Sequence, residues 1–194
     1  MKSKKWRILL PLLLLAVIGV ASTSAFLISR AGTVTNLFTA AEVTTEIIEE
    51  LDENEIVQPG TEIKKVVTVR NIDSDGTLAE VGTDDAVACF VRVRITASPA
   101  NLLGDGRQGF IFEGMDAAWV NGGDGYYYYL YALAPYVTTT PVMEKVVLSA
   151  GLTTNFDLTV TQEAVNSQAY TSQALEDGTY PLEVLQAAFA DVTL

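Results

Sequence analysis

The chain has 194 residues, 49% hydrophobic and 19% charged, a composition that buries a core and does not fit a disordered segment. Its 24 acidic residues against 12 basic give a formal charge of −12, a surface that disfavours nucleic acid and anionic lipid, both of which need a basic patch. Histidine is absent, which excludes Ser-His-Asp and Cys-His nucleophile pairs and every zinc site that uses imidazole.

The first 25 residues fall into three zones: a basic start (Lys2, Lys4, Lys5, Arg7), an apolar run from Ile8 to Val20, and the small residues Ala21-Ser22-Thr23-Ser24-Ala25. That order is the pattern of an export signal, with Thr23 and Ala25 at the third and first positions before a cut. Residues 1–25 are therefore read as a signal peptide cleaved after Ala25, so that Phe26 opens the mature chain and no membrane attachment remains. About 170 residues are left, enough for one domain. Losing four basic residues leaves eight against 24 acids, a formal charge of −16. The rival reading keeps Ile8 through Ile28 as an anchor, because the stretch is almost uncharged and just reaches the about 20 residues of a membrane span. Ser22-Thr23-Ser24 interrupts it.

Thr33 to Ile48 is rich in β-branched residues and reads as a strand, although Ala40-Ala41-Glu42 weakens that. The acidic stretch Glu49 to Glu55 reads as a solvated loop and Pro59-Gly60 as a turn. Ile63 to Val69 is a strand carrying the basic pair Lys64-Lys65, with Asn71-Ile72-Asp73-Ser74-Asp75-Gly76 as its turn. Asp73, Asp75 and Gly76 match part of a calcium loop, but Gly82 stands at the twelfth position where such a loop has glutamate. Residues 26–48 thus form an N-terminal strand segment, and 49–194 a sandwich domain.

Val87 to Ile95 has the clearest pattern: Cys89, Val91, Val93 and Ile95 alternate with Phe90, Arg92, Arg94 and Thr96. An apolar face backed by two arginines marks an antiparallel sheet with one side in the core. On that assignment Val91→Ala should cost about 1–3 kcal/mol and Arg92→Ala much less. Cys89, the lone cysteine, lies in an apolar β-prone stretch. It cannot make an intramolecular disulfide and is expected to be a buried, inert thiol, with a nucleophile or an intermolecular crosslink as alternatives.

Asn101 to Gly125 is rich in glycine and aspartate, with Phe110, Phe112 and Trp119 as packing anchors between turns at Gly104-Asp105-Gly106 and Gly122-Gly123-Asp124-Gly125. Tyr126 to Tyr131 is a strand in which Tyr127, Tyr129 and Tyr131 share one side. Exposed, that row is an aromatic surface for sugar rings or a neighbouring subunit; cross-strand packing explains the same row without a ligand and is the favoured reading. Val142 to Leu148 and Phe156 to Val165 read as further strands. Pro181 to Phe189 reads as a short helix with Leu182, Leu185 and Phe189 on one face, covering an end or edge of the sandwich.

Several blocks in order resemble the biofilm-matrix proteins of Gram-positive bacteria typified by the TasA and camelysin group, exported through a SipW-type signal peptidase. They are the small-residue signal end before Phe26, Asn36-Leu37-Phe38-Thr39, Gln58-Pro59-Gly60 with Lys64-Lys65, Val69-Arg70-Asn71 and Cys89-Phe90-Val91-Arg92-Val93. They continue with Asp124-Gly125-Tyr126-Tyr127-Tyr128-Tyr129, Leu133-Ala134-Pro135, Thr138-Thr139-Thr140-Pro141 and Thr161-Gln162-Glu163-Ala164-Val165. Tyr136 departs from a family glycine and Asn166 from a glutamine. The resemblance implies a jelly-roll-like sandwich that is secreted and self-associates into fibres; with the strand and helix patterns above, the expected fold is an all-β, antiparallel, jelly-roll-like β-sandwich with a short C-terminal helix. It also implies that the segment after the signal is a strand donated to the next subunit, with Val34, Leu37, Phe38, Val43 and Ile47 as its β-formers. The same segment could instead fold back as the first strand of its own domain.

The functional expectation is a structural subunit of extracellular matrix or cell-surface fibres, not an enzyme, with no cofactor or metal. The camelysin branch has been regarded as metalloproteases, but no His-Glu-x-x-His helix exists here, and Glu113 and Asp116 make an ordinary pair of loop acids. The alternative is a monomeric surface adhesin or glycan-binding module that uses exposed aromatics.

Overall fold

Alternation of apolar and polar residues builds the long strands, and their pairing sets two sheets face to face. The computed structural model describes residues 36–37, 43–51, 58–72 and 87–190. In chain order the strands are β1 (Asn36–Leu37), β2 (Thr44–Leu51), β3 (Glu62–Ile72), β4 (Cys89–Ser98), β5 (Phe110–Glu113), β6 (Trp119–Asn121), β7 (Tyr127–Tyr129), β8 (Met143–Leu148) and β9 (Asp157–Asn166), followed by helix α1 (Leu182–Ala190). One sheet has the order β1-β9-β4-β7-β6 and the other β2-β3-β8-β5. All pairs are antiparallel except β1 with β9. Successive strands change sheet after β1, β3, β4, β5, β7 and β8, so the two halves of the core are wound together. The architecture is the expected all-β sandwich with one short C-terminal helix.

The main core lies between the sheets. Cys89, Val91, Val93 and Ile95 of β4 meet Val67 and Val69 of β3 and Met143, Val146 and Leu148 of β8 there, as the alternation in β4 predicts. Phe110 and Trp119 are buried in the same core and Phe112 packs against it. Their strands β5 and β6 span four and three residues, too short for a period of two to stand out in a stretch otherwise written in turn residues. Gln162, buried in β9, donates from Nε2 to the Thr45 carbonyl at 2.6 Å and ties one sheet to the other.

A second core occupies the outer face of the first sheet, where Phe90, Tyr128 and Val165 meet Leu185, Ala188 and Phe189 of α1 and Tyr180. The helix therefore covers a face of the sandwich, not the end or edge expected, because β4, β7 and β9 each turn one large apolar side chain outward beneath it.

Three boundaries also differ from expectation. Thr33 to Ile48 is not one strand: its described residues fall in β1 and β2, which belong to different sheets. Glu49 and Glu50 lie in β2 and not in a solvated loop, since both meet a lysine of β3: Lys65 Nζ is 2.7 Å from Glu49 and Lys64 Nζ 3.5 Å from Glu50. Asn71 and Ile72 finish β3; the rest of the turn assigned to them, with Asp73, Asp75 and Gly76, lies outside the described residues. So do the signal zones, the anchor alternative and the cut between Ala25 and Phe26.

Tyr136 adopts φ +62, the left-handed region in which a non-glycine residue pays about 1–2 kcal/mol. Its amide donates to the Asn71 carbonyl at 3.0 Å and the Asn71 amide donates to the Val137 carbonyl at 3.1 Å, which holds the chain in this turn at the end of β3. A glycine is suited to the same backbone without that cost. Tyr136→Gly should therefore change stability by less than about 1 kcal/mol, strain relief offsetting the greater freedom of the unfolded chain. Tyr136→Val, β-branched at positive φ, should cost more than about 1 kcal/mol. Urea unfolding of both variants measures this.

Candidate functional site

Arg92 points outward from β4 between two neighbours set by register: Glu163 of β9 on one side and Tyr128 of β7 on the other. Its Nε donates to Glu163 Oε2 at 2.7 Å, its Nη2 donates to the same oxygen, and its Nη1 donates to the Tyr128 hydroxyl oxygen at 3.1 Å. The Tyr128 hydroxyl in turn donates to Asp124 Oδ2 at 2.6 Å, and the Tyr126 hydroxyl donates to Glu163 Oε1 at 2.7 Å. The guanidinium also lies 3.9 Å from the Tyr126 ring centroid and 4.4 Å from that of Phe189. The side chains of Arg92 and Glu163 keep only 18% and 19% of their exposure, so this pair works in a partly dehydrated setting where loss of either partner is felt.

Local backbone chemistry places each group. Asp124 Oδ1 accepts the Tyr126 amide at 3.1 Å and Asn121 Oδ1 the Gly123 amide at 2.8 Å, the side-chain turns that Asn and Asp favour. A Cβ on Gly122 would overlap the Tyr128 ring, so glycine at that position lets the ring lie over the loop and reach Asp124. The helix is tied in from its own side by Gln186, whose Nε2 donates to the Gly122 carbonyl at 3.0 Å.

The titration shifts follow these contacts. Burial lowers the Arg92 pKa, but hydrogen bonds with Tyr128 and Glu163 outweigh it and hold the group above its ordinary value. Burial, then the hydrogen bond to Glu163, raises Tyr126; burial, then the bond to Asp124, raises Tyr128. At Asp124 slight burial acts upward and is outweighed by the bonds from Tyr128 and the Tyr126 amide, so its carboxyl lies below the usual range. The cluster is a set of mutually satisfied charges and hydroxyls. Chemically it clamps the helix to the sheet.

The residues singled out in the sequence are placed as follows. Of the aromatic row, Tyr129 is buried in the main core and Tyr127 packs against it, leaving Tyr131 at 37% exposure. Cross-strand and core packing, not an exposed platform of three tyrosines, accounts for the row. In the assembly segment, Val34 and Phe38 lie outside the described residues, as do Ala25 and Phe26. Leu37 pairs with Glu163 in β1. Val43 is buried and Ile47 packs against the core, while β2 pairs with β3 over its whole length. The stretch 43–48 thus belongs to its own sandwich, and the domain start expected at 49 moves back to Val43.

Cys89 is fully buried, and burial pushes its thiol up to about 12, the inert setting expected. Glu113 is an ion-pair partner of Lys145 at 3.2 Å and Asp116 accepts from the Ala118 amide and the Thr140 hydroxyl. Both are engaged in structure. Among the described residues no group of three metal-ligating side chains is gathered, and no helix is long and apolar enough to cross a membrane.

Two residues escaped the sequence reading. Glu163 is separated from Arg92 by 71 positions, and only a strand register could have joined them. Asn71, fully buried, donates from Nδ2 to the carbonyls of Val87 at 2.8 Å and Leu133 at 3.1 Å, so it fastens the entry of β4 to the loop after β7. The available signal was an asparagine in step with Ile63, Val67 and Val69 on the buried side of β3. No family model, curated protein or solved structure matches this chain.

Proposed function

We propose that this chain is a secreted structural subunit of an extracellular matrix or cell-surface fibre, of the kind formed by the TasA and camelysin group. Subunits join when a strand of one adds to a sheet edge of the next. The observation that carries this reading is how the N-terminal segment meets the sandwich. β1 supplies two residues, Asn36 against Gln162 and Leu37 against Glu163, in parallel at the outer edge of β9. A parallel partner is not delivered by a hairpin; backbone bonds to the edge hold it, and the same edge accepts the equivalent strand of a neighbour. Such an exchange, repeated head to tail, does not close and grows as a filament. Three of the blocks that carry the resemblance also meet in the Arg92 cluster, which supports treating them as parts of one design.

The secreted chain, whose first residue mass spectrometry should place at or near Phe26, is compared by electron microscopy and sedimentation with a chain starting at Val43. The shorter chain keeps β2 and the buried Val43 and should stay folded and monomeric while the longer one forms filaments. Filaments from the shorter chain, formed as readily as from its parent, would rule the donated strand out. The glycan-binding alternative loses its platform with the burial of Tyr129.

A further inference from the structure

Among the described residues, Lys64, Lys65, Arg70, Arg92 and Lys145 each meet a carboxylate of their own chain. Arg94 and Arg107 have no such ion pair. Arg107 sits in an exposed loop. Arg94 is built differently: it is exposed on the outer face of β4 and its guanidinium is stacked 4.2 Å from the Tyr126 ring centroid. That ring is itself fixed by the hydroxyl bond to Glu163 and by Arg92. Thr161 stands directly across on β9, with Thr96 and Thr159 paired next along the same strands.

A guanidinium stacked on a fixed ring has already lost most of the freedom that binding would take, and its planar fork matches a carboxylate. Between copies of a chain with 24 acids and 12 bases, like charge opposes every approach. A cation that meets no carboxylate among the described residues is where a neighbour's acid is received at least cost. We propose that Arg94, held on Tyr126, is a docking point for a carboxylate side chain of a second copy of this chain. This rests on the reading that copies associate, and it adds the contact that overcomes their repulsion.

Sedimentation velocity over a range of concentration and salt, on the chain starting at Phe26, tests this with Arg94→Gln and with Arg107→Gln as a charge-matched control. Arg94→Gln should weaken self-association about tenfold and flatten its salt dependence, while Arg107→Gln changes it less than about twofold. Equal association of the parent and Arg94→Gln, or equal losses in the two variants, overturns the proposal but leaves the donated strand standing if the Val43 chain still fails to form filaments. A parent that dimerises through Arg94 without forming filaments has the opposite result, upholding the docking point against the fibre reading. A parent monomeric at every concentration overturns both. Polygalacturonate, added as a probe, separates the other source of carboxylate: binding lost in Arg94→Gln with self-association untouched assigns the site to an acidic polymer and removes it from the second copy.

Discussion

Raising the pH from 9.0 to about 12 is expected to remove about 4 kcal/mol of stability through Cys89. The thiol is fully buried in the main core, and burial pushes its pKa from 9.0 to about 12. A pKa raised in the folded state means that the unfolded chain loses its proton first. The contribution is complete below pH 9.0, falls by about 1.4 kcal/mol per pH unit above it, and is gone once the folded thiol titrates. Tyr126, Tyr127 and Tyr128, all raised from 10.0 with burial as the first cause, act in the same direction from pH 10 upward. Urea unfolding between about pH 8 and about pH 11 should show the parent losing stability from pH 9, while Cys89→Ala stays flat until the tyrosines titrate. Parallel curves for the two would mean that water reaches the thiol and that this part of the core is open.

What the sequence discloses depends on whether the signal is local. Cys89 to Ile95 announces both its strand and its inward face, because alternation over seven residues has one interpretation; Leu182, Leu185 and Phe189 do the same for α1 at helical spacing. Glu49 and Glu50 were misread because acids beside further acids resemble a solvated loop, and only pairing with β3 brings them to Lys65 and Lys64. The Arg92 cluster was hidden for the same reason. Its members come from β4, β7 and the loop before it, and β9, and nothing in the order of residues states which strands adjoin. The tyrosine row was correctly divided into two faces, but an all-aromatic strand does not say which of them meets the core; the answer comes from Trp119 and Phe112, which pack against Tyr129 and Tyr127 at 5.1 and 5.7 Å.

Arg92→Ala is expected to cost about 2–4 kcal/mol, more than the about 1–3 kcal/mol of Val91→Ala, which reverses the order that alternation alone predicts. Val91 is 1% exposed, and its truncation removes two methyl groups from a core that can partly close over them. Arg92 does more than face solvent. Its removal leaves Glu163, at 19% exposure, with the Tyr126 hydroxyl as its remaining partner among these bonds, and a carboxylate stripped of its cation in a partly dehydrated site is costly. The rings of Tyr126 and Phe189 lose the cation between them as well, at about 0.5–1 kcal/mol for each contact. Arg92→Lys keeps the charge without the fork, so it should recover only part of the loss. A double-mutant cycle with Glu163→Gln should give a coupling above about 1 kcal/mol, and amide exchange in α1 should quicken in Arg92→Ala because Phe189 is one of the anchors released. If Arg92→Ala costs less than Val91→Ala and leaves α1 equally protected, the helix is held by its apolar face alone and the cluster is not a clamp.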